Sequence, residues 1–304
     1  MEQALIINNI SKHFNATDAL KDISFSVNRS ELFGLIGPDG AGKTTLFRII
    51  ATLLLANCGT VTVGGLDVIK DYKEIRNKIG YMPGKFSLYR DMTVEENLAF
   101  FAAVFGTTIQ ENYELIADIY KFLEPFKNRR AAKLSGGMKQ KLALCCTLIH
   151  RPSILLLDEP TTGVDPVSRR EFWDMLYRLK EHNITILVST PYMDEAAMCD
   201  KIALIKNGGI LSVDTPISIV NSFTEQLWQI KSDYMYHLLL DTRKYDGIKS
   251  CYPFGETHHI VFKSDMPNIE SFKQFLCKNG HNSVVISKIK ANIEDYYMNL
   301  SQQS

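Results

Sequence analysis

The amino-acid sequence predicts an α/β fold with a buried, largely parallel sheet. Residues 32–36 form a short apolar run that leads through a glycine-rich turn into a helix-like stretch beginning at Lys43. A strand–turn–helix unit of this kind is typical of α/β sheets. Two further apolar runs, residues 154–157 and 184–189, have the composition of strands that are buried on both faces.

Periodicity and turn residues predict the other elements of the first two thirds of the chain. Apolar and polar residues alternate over residues 4–9 and 22–27, as they do in half-buried strands. The periodicity is helical over residues 93–150. A turn at residues 207–209 separates two more strand-like runs, and the pair at 215–216 is typical of the start of a short helix.

Capping residues predict where helices begin. Two pairs of residues match the S/T-x-x-E pattern of a capping box, which opens a helix: Thr93 with Glu96, and Thr108 with Glu111. Asp165 followed by Pro166 is typical of an N-cap residue with proline at the first helical position. This pair predicts a helix that extends to about residue 181.

The pattern changes after about Ser222. From there on, strand-like and helix-like segments alternate. The strand-like segments are residues 227–231, 248–252, 258–263 and 283–289, and the helix-like ones are 233–243, 268–278 and 292–300. We therefore predict two domains, residues 1–222 and a small α+β domain at residues 223–304.

Composition and charge exclude several classes of protein. The chain has 304 residues, and its 34 basic residues balance 34 acidic ones, whereas a dedicated nucleic-acid-binding protein carries a basic excess. The 45% hydrophobic share excludes wholesale disorder. Six cysteines form no CxxC pair, and the adjacent His258 and His259 would face opposite sides of a strand rather than share a metal. No signal peptide or apolar run of 18 residues is visible, so we expect a cytoplasmic protein.

One motif satisfies the G-x-x-x-x-G-K-[ST] pattern of a phosphate-binding loop. It lies between the predicted strand 32–36 and the helix that follows, where backbone N–H groups and the helix N-terminus attract phosphate. We expect Lys43 to reach the β- and γ-phosphates of a nucleotide and Thr44 to supply a hydroxyl to Mg²⁺. The predicted phosphate-binding residues are Gly37, Pro38, Asp39, Gly40, Ala41, Gly42, Lys43, Thr44 and Thr45.

Two adjacent carboxylates, Asp158 and Glu159, follow the apolar run 154–157. An apolar strand that ends in such a pair is the Walker-B arrangement of nucleotide-hydrolysing proteins. In this arrangement Asp158 would assist Mg²⁺, and Glu159 would polarise an attacking water. The pair therefore predicts the catalytic half of the same site.

A third motif, LSGGMKQ at residues 134–140, combines small residues and a free hydroxyl at the start of a predicted helix, which makes it a second candidate anion site. With this motif the sequence resembles the ATP-binding-cassette (ABC) ATPases, whose signature motif is LSGGQ-like. The resemblance covers about residues 4–220. It implies further nucleotide contacts for Phe14, which matches the aromatic residue that stacks on adenine, for Ser135, Gly136 and Gly137 of the signature motif, and for Asp165 of the D-loop at residues 163–166.

The resemblance implies a P-loop NTPase of ABC type, with a RecA-like core, an antiparallel β subdomain and a helical subdomain at about residues 92–150. It also implies ATP and Mg²⁺ as cofactors, an ATPase coupled to transport, a membrane permease as partner, and a location on the inner face of the membrane. In this family each ATP lies between the phosphate loop of one cassette and the signature motif of another, so a second cassette is implied. Residues 80–83, 93–98 and 293–297 are similar to bacterial drug- and lipid-exporter cassettes.

Two positions depart from the family pattern. The family usually has glutamine where this chain has Gly84, and a switch histidine where it has Pro191. In the family the glutamine helps coordinate Mg²⁺ and sense the transmembrane partner, and the histidine contacts the γ-phosphate. Glycine has no side chain for either task, and proline has neither a side-chain donor nor a backbone N–H. This double loss is similar to the N-terminal cassette of tandem exporter ATPases, and it predicts a degenerate site that binds ATP but hydrolyses it poorly. It favours a heterodimer with an intact cassette, with a homodimer as the alternative.

Two other functions stay open at this stage. One is a soluble ABC ATPase of translation or DNA repair, a class that usually has two cassettes in one chain or a coiled-coil insertion and tends to be basic. The other is a non-hydrolysing regulatory subunit that binds ATP, which the losses at Gly84 and Pro191 make conceivable.

Overall fold

The computed structural model describes residues 2–84 and 88–303. Contacts divide the chain into two compact units, Met1–Pro216 and Ile217–Ser304. We predicted the boundary after residue 222, at the end of the helix Pro216–Asn221. The contacts divide the chain at the start of this helix, so that most of it belongs to the second unit.

The described residues up to Asn221 form ten strands and seven α-helices, and the last of these helices lies mostly in the second unit. In chain order they are β1 (Gln3–Phe14), β2 (Thr17–Asn28), β3 (Leu32–Ile36), α1 (Lys43–Ile50), β4 (Cys58–Val63), β5 (Leu66–Asp67), α2 (Tyr72–Lys78), β6 (Ile79–Met82), α3 (Val94–Val104), α4 (Tyr113–Tyr120), α5 (Gly136–Leu148), β7 (Ile154–Asp158), α6 (Pro166–Glu181), β8 (Thr185–Thr190), β9 (Lys201–Lys206), β10 (Gly209–Asp214) and α7 (Pro216–Asn221).

The central sheet has six strands in the order β10-β9-β3-β8-β7-β6. All neighbours are parallel except β10 and β9, which form a hairpin. Every residue of β3, β7 and β8 is buried, because both faces of these strands are covered. The predicted α/β fold is confirmed. Its parallel strands deliver the loops after β3, β7 and β8 to one edge of the sheet, which is where ligands bind in such folds.

A second, antiparallel sheet has the order β2-β1-β4-β5. Helices α3, α4 and α5 form the segment between β6 and β7. The sequence patterns predicted β1 and β2 but neither β4 and β5 nor α2, because these short elements have little periodicity of their own.

The two predicted capping boxes have different outcomes. Thr93 caps α3 as expected: its hydroxyl accepts from the Glu96 N–H at 3.2 Å, and the Glu96 carboxylate accepts from the Thr93 N–H at 2.7 Å. Thr108 and Glu111 form the same reciprocal bonds, each of 3.2 Å. No helix begins there, however, since turns follow and α4 starts only at Tyr113. The prediction of a helix start at Thr108 is wrong, because the hydrogen bonds of a capping box also stabilise an isolated turn.

The second unit is an α+β structure. An antiparallel sheet of β11 (Leu227–Lys231), β12 (Ile248–Phe254), β13 (Thr257–Phe262) and β14 (Val285–Ile289) accompanies the helices α8 (Met235–Lys244), α9 (Ile269–Lys278) and α10 (Ile293–Gln303). Its core is apolar and includes Ile230, Leu238, Ile260, Phe272 and Leu276. Across the described part of the chain, none of the helices is long and apolar enough to cross a membrane.

Candidate functional site

The phosphate loop connects β3 to α1 at the carboxyl edge of the sheet. Gly40 and Gly42 have positive φ angles of 77° and 104°, which glycine adopts readily. A Cβ atom on Gly42 would lie 2.4 Å from the carbonyl oxygen of Ala19, and one on Gly37 would lie 2.2 Å from that of Ile205. Glycine is therefore required at both ends of the loop, because the neighbouring backbone leaves no room for a side chain.

Lys43 is buried at the start of α1. Its ammonium group donates to the carbonyl oxygens of Gly37 at 2.8 Å and Pro38 at 2.9 Å, and it lies 3.1 Å from Glu159 Oε1. These oxygens compensate the buried charge. The loop thus curls around a positive charge at a helix N-terminus, which is a suitable site for phosphate groups. Thr44 lies half-buried in the first turn.

The two predicted Walker-B carboxylates lie at the end of β7, beside this loop. Asp158 is buried, and its Oδ1 accepts a 2.6 Å hydrogen bond from the hydroxyl of Ser189. The Glu159 N–H donates to the carbonyl oxygen of Ser189 at 3.0 Å. Glu159 itself has a left-handed φ of 51°, so the chain turns sharply after Asp158 and directs the two side chains to different places. Burial and the Asp158 charge raise the pKa of Tyr81.

Ser189 is a residue of the candidate site that the sequence patterns did not predict. It lies opposite Asp158 in the parallel pairing of β7 with β8, and the hydrogen bond to Asp158 orients the carboxylate. Its only signal in the sequence is a polar residue at the end of a buried strand, two residues before Pro191, one of the two departures from the family pattern. The pairing register that places it beside Asp158 cannot be deduced from either strand alone.

Both departures from the family pattern lie at this edge of the sheet. Gly84 follows β6, and a Cβ atom there would lie 3.0 Å from the Asp158 carbonyl oxygen and 3.8 Å from Glu159 Cβ. Pro191 directly follows Thr190, whose carbonyl oxygen accepts a 3.2 Å hydrogen bond from the Gly37 N–H. A side chain at either position would therefore border the phosphate loop or the carboxylates.

The signature motif forms a separate group together with the D-loop. Ser135 is the N-cap of α5, and its hydroxyl accepts from the Met138 N–H at 3.3 Å. A Cβ atom on Gly137 would lie 2.7 Å from the hydroxyl oxygen of Ser168 in the first turn of α6. Among the described residues, the contacts found for Ser135, Gly136 and Gly137 are with their own helix, α6 and the loop before it, rather than with the phosphate loop.

Asp165 is the N-cap of α6, as predicted. Its carboxylate accepts a 3.0 Å hydrogen bond from the Ser168 N–H, and this bond holds the pKa of Asp165 below its ordinary value. The side chain is therefore ionised at neutral pH and favourably placed at the positive end of the helix.

Phe14 lies at the tip of the β1–β2 hairpin with 48% of its surface exposed. The Lys12 ammonium lies 5.2 Å from its ring centroid. Further along β2, the Ala19 carbonyl oxygen faces Gly42. The hairpin thus runs from the phosphate loop to an exposed aromatic ring, the type of surface on which a base can stack.

The comparison with known proteins agrees with this geometry. The sequence profile of the ABC transporter family matches residues 20–162. The probable multidrug ABC transporter ATP-binding protein YbhF of Escherichia coli (strain K12) is 42% identical over 239 residues, which cover 77% of this chain but only 41% of that protein. The Nod factor export ATP-binding protein I of Burkholderia orbicola (strain AU 1054) is 36% identical over 217 residues, covering 70% of this chain and 71% of the relative. The chain belongs to the ABC transporter ATP-binding proteins.

A solved structure shows the same ABC fold as a dimer. The post-hydrolysis state of the cassette MJ0796, bound to ADP and Pi, matches 69% of this chain and 98% of its own with a TM-score of 0.63 and 25% identity. ABC ATPase domains bind ATP, generally with Mg²⁺. The residues present here fit both groups, because Lys43 and the α1 N-terminus suit phosphates, while the Thr44 hydroxyl and Asp158 carboxylate are the oxygen ligands that Mg²⁺ prefers.

Proposed function

We propose that this chain is the ATP-binding subunit of an ABC exporter, working on the cytoplasmic face of a membrane and driving a separate permease by ATP-dependent dimerisation. The observation that carries the proposal is the division of the site. The phosphate loop and the Walker-B carboxylates lie together, whereas the signature group, Ser135, Gly136 and Gly137, lies apart on α5. In this proposal a second cassette therefore completes the site. The names of YbhF and the Nod factor export protein support an exporter.

The residues have distinct roles in this proposal. Lys43 and the N–H groups of α1 bind the phosphates, and Thr44 and Asp158 are the residues that would hold Mg²⁺, with Ser189 orienting Asp158. When bound, the metal ion neutralises phosphate charge and aligns the γ-phosphate. Glu159 accepts the proton of the attacking water as general base.

The site on this chain is proposed to hydrolyse ATP slowly. Gly84 contributes no side chain beside Asp158, and Pro191 has neither a side-chain donor nor a backbone N–H next to Thr190. The chain thereby lacks a side chain that would help hold Mg²⁺ and one that would contact the γ-phosphate, and groups of this kind stabilise charge in the transition state. Because Glu159 is retained, we expect a reduced rate rather than none.

Restoring both side chains tests this idea. The double variant Gly84→Gln with Pro191→His is expected to raise the single-turnover rate of ATP hydrolysis, since one group that stabilises transition-state charge contributes a factor of up to about 10²–10³. The gain will be smaller than the full factor, because a Cβ atom at position 84 lies 3.0 Å from the Asp158 carbonyl oxygen and the backbone has to yield. Rapid-quench measurement gives the rate, made on the complex with a partner cassette whose own site is inactivated, so that only the site on this chain hydrolyses ATP.

The matched control is Gly84→Ala with Pro191→Ala. It adds the same Cβ atom at position 84 and restores the same backbone N–H at position 191, but it supplies neither the glutamine amide nor the imidazole. Its rate should therefore stay near the native value. Rapid turnover by the unmodified chain, or an equal gain in the alanine control, would contradict the impaired-site proposal.

We assign the permease contact to a cavity of about 380 Å³ in the first unit. Its wall includes apolar residues of β6, α3 and α5 and Leu53 after α1. Its polar members include Arg76, Thr147 and His150. Met82 and Pro83 line it and lead directly to Gly84, which adjoins Asp158. A permease segment bound in this cavity would therefore contact the same stretch of chain that leads to Asp158, so that its movement could shift the nucleotide site.

A charge in this cavity should disrupt the complex. Leu53 is 58% exposed and lines the cavity, so Leu53→Glu is expected to weaken co-purification with the permease while leaving ATP affinity unchanged. Leu55→Glu is the matched control, because Leu55 is 64% exposed but lies outside this cavity. Candidate permeases are those encoded beside this chain. Equal recovery of permease with both variants would exclude this docking surface.

A second candidate function is a non-hydrolysing regulatory subunit, which the losses at Gly84 and Pro191 favour. The two functions differ in the complex: a regulatory subunit would bind ATP without affecting turnover at any partner site. ATPase measurements on the complex with signature variants of this chain decide between them.

A further inference from the structure

A buried carboxylate lies just beyond the nucleotide site, on the 3-10 helix Met193–Met198 that follows β8 and Pro191. Glu195 is 2% exposed, and its Oε1 accepts a 2.7 Å hydrogen bond from the hydroxyl of the buried Thr161. Thr161 comes two residues after Glu159 in the loop that leads to α6. Burial of a carboxylate is strongly unfavourable unless charged or hydrogen-bonding partners compensate it.

The charged partner of Glu195 is Arg169, in the first turns of α6. Arg169 Nε lies 3.6 Å from Glu195 Oε1, and Nη1 lies 3.7 Å from Asp194 Oδ2. The guanidinium carbon also lies 4.2 Å from the ring centroid of Tyr192, within the range of a cation–π contact. We call Arg169 together with Tyr192, Asp194 and Glu195 the Arg169 clamp.

The ion pair between Arg169 and Glu195 is loose, since the two groups are 3.6 Å apart. Within the described part of the chain, Glu195 Oε2 and Arg169 Nε are buried without a hydrogen-bond partner. The carboxylate and the guanidinium could therefore move closer and form a bidentate pair without breaking an existing bond between them. The structure therefore shows a loose ion pair with room to tighten.

The clamp joins the phosphate loop to the D-loop. On one side, the Tyr192 N–H donates to the Thr190 hydroxyl at 3.1 Å, and the Thr190 carbonyl oxygen accepts from the Gly37 N–H at 3.2 Å. On the other side, the Arg169 N–H donates to the carbonyl oxygen of Asp165, the N-cap of α6, at 2.9 Å. A continuous set of contacts thus runs from the start of the phosphate loop to the start of α6.

We propose that Glu195 is a positioning residue that couples the phosphate loop to the D-loop through Arg169. When ATP shifts the phosphate loop and the segment after β8, the clamp moves the start of α6 with them. The inference rests on the proposed function, since it takes ATP to bind at Lys43 and the D-loop to be presented to a second cassette. Glu195 itself acts only through its contacts to Thr161 and Arg169.

Hydrogen–deuterium exchange of the full chain tests the coupling without any partner. Coupling between two sites typically corresponds to a change of about 5- to 150-fold. We therefore expect ATP to slow exchange in peptides covering residues 162–168 by about fivefold or more in the native chain. In Glu195→Gln this response should be lost, while the Kd for ATP stays at its native value.

The control is Asp174→Asn, which neutralises an exposed carboxylate on the same helix outside the clamp and should keep the full response. If Glu195→Gln does not fold, Arg169→Gln removes the other half of the pair and should lose the response in the same way. A native-like ATP response in a folded clamp variant, or no response at residues 162–168 in the native chain, overturns the inference. Failure of the proposed function would instead appear as absent ATP binding or an absent complex, both of which are measured separately.

In the complex, Glu195→Gln should lower kcat and leave the KM for ATP unchanged. Loss of a purely structural contact would lower the melting temperature but keep the exchange response of residues 162–168 to ATP. An unchanged kcat in a complex that the native chain activates also contradicts the positioning role.

Discussion

Replacing Ser135 by arginine in this chain is expected to lower ATP turnover by the heterodimeric complex by about 10²–10³-fold, the usual effect of losing one donor that stabilises transition-state charge. Ser135 is exposed at the start of α5, and the signature group makes its described contacts away from its own phosphate loop. In the proposed heterodimer Ser135 completes the site of the intact partner. Because that site hydrolyses ATP faster, the substitution lowers most of the turnover of the complex.

The measurement is the steady-state ATPase rate of the co-purified complex. Loss of the N-cap bond to Met138 costs α5 about 1 kcal/mol, which is too little to unfold the subunit. Gln110→Arg is the matched control, since it adds the same charge at an exposed turn between α3 and α4. Full activity of the Ser135→Arg complex, or a hydrolytically active homodimer of this chain, would exclude the asymmetric arrangement.

Replacing Lys43 by alanine is expected to weaken ATP binding by this chain about 100-fold or more, since hydrogen bonds from a charged group contribute about 1.5–3 kcal/mol each. Lys43 also links Gly37, Pro38 and Glu159, so its loss leaves three oxygens without their cation. In the heterodimer we expect Lys43→Ala to weaken assembly more than it slows chemistry, because the fast site belongs to the partner.

Equilibrium titration of the isolated chain gives the Kd, and size-exclusion chromatography with and without ATP gives the assembly. Lys73→Ala is the control, because Lys73 is an exposed lysine of α2 away from the loop. An unchanged Kd in Lys43→Ala would mean that ATP does not bind at the phosphate loop. A large loss of complex turnover with normal assembly would mean that this chain carries the fast site.

Features that depend on neighbours in the sequence were predictable without a structure. The phosphate loop, the Walker-B pair and the Asp165 cap are short segments whose residue types prescribe their own backbone geometry, and each lies where its pattern placed it. The buried strands β3, β7 and β8 were equally clear, because parallel strands covered on both faces are continuous apolar runs. The capping box at Thr93 formed for the same local reason.

Features that depend on contacts between distant segments came only from the tertiary structure. Ser189 orients Asp158 because β7 pairs with β8 in one register out of several, and Glu195 meets Arg169 because the segment after β8 packs beside α6. Thr108 and Glu111 form their predicted bonds, yet the chain around them does not continue as a helix. The physical reason is the same in each case: hydrogen bonds and patterns within a segment limit its conformation, but burial against other segments selects which conformation persists and which side chains meet.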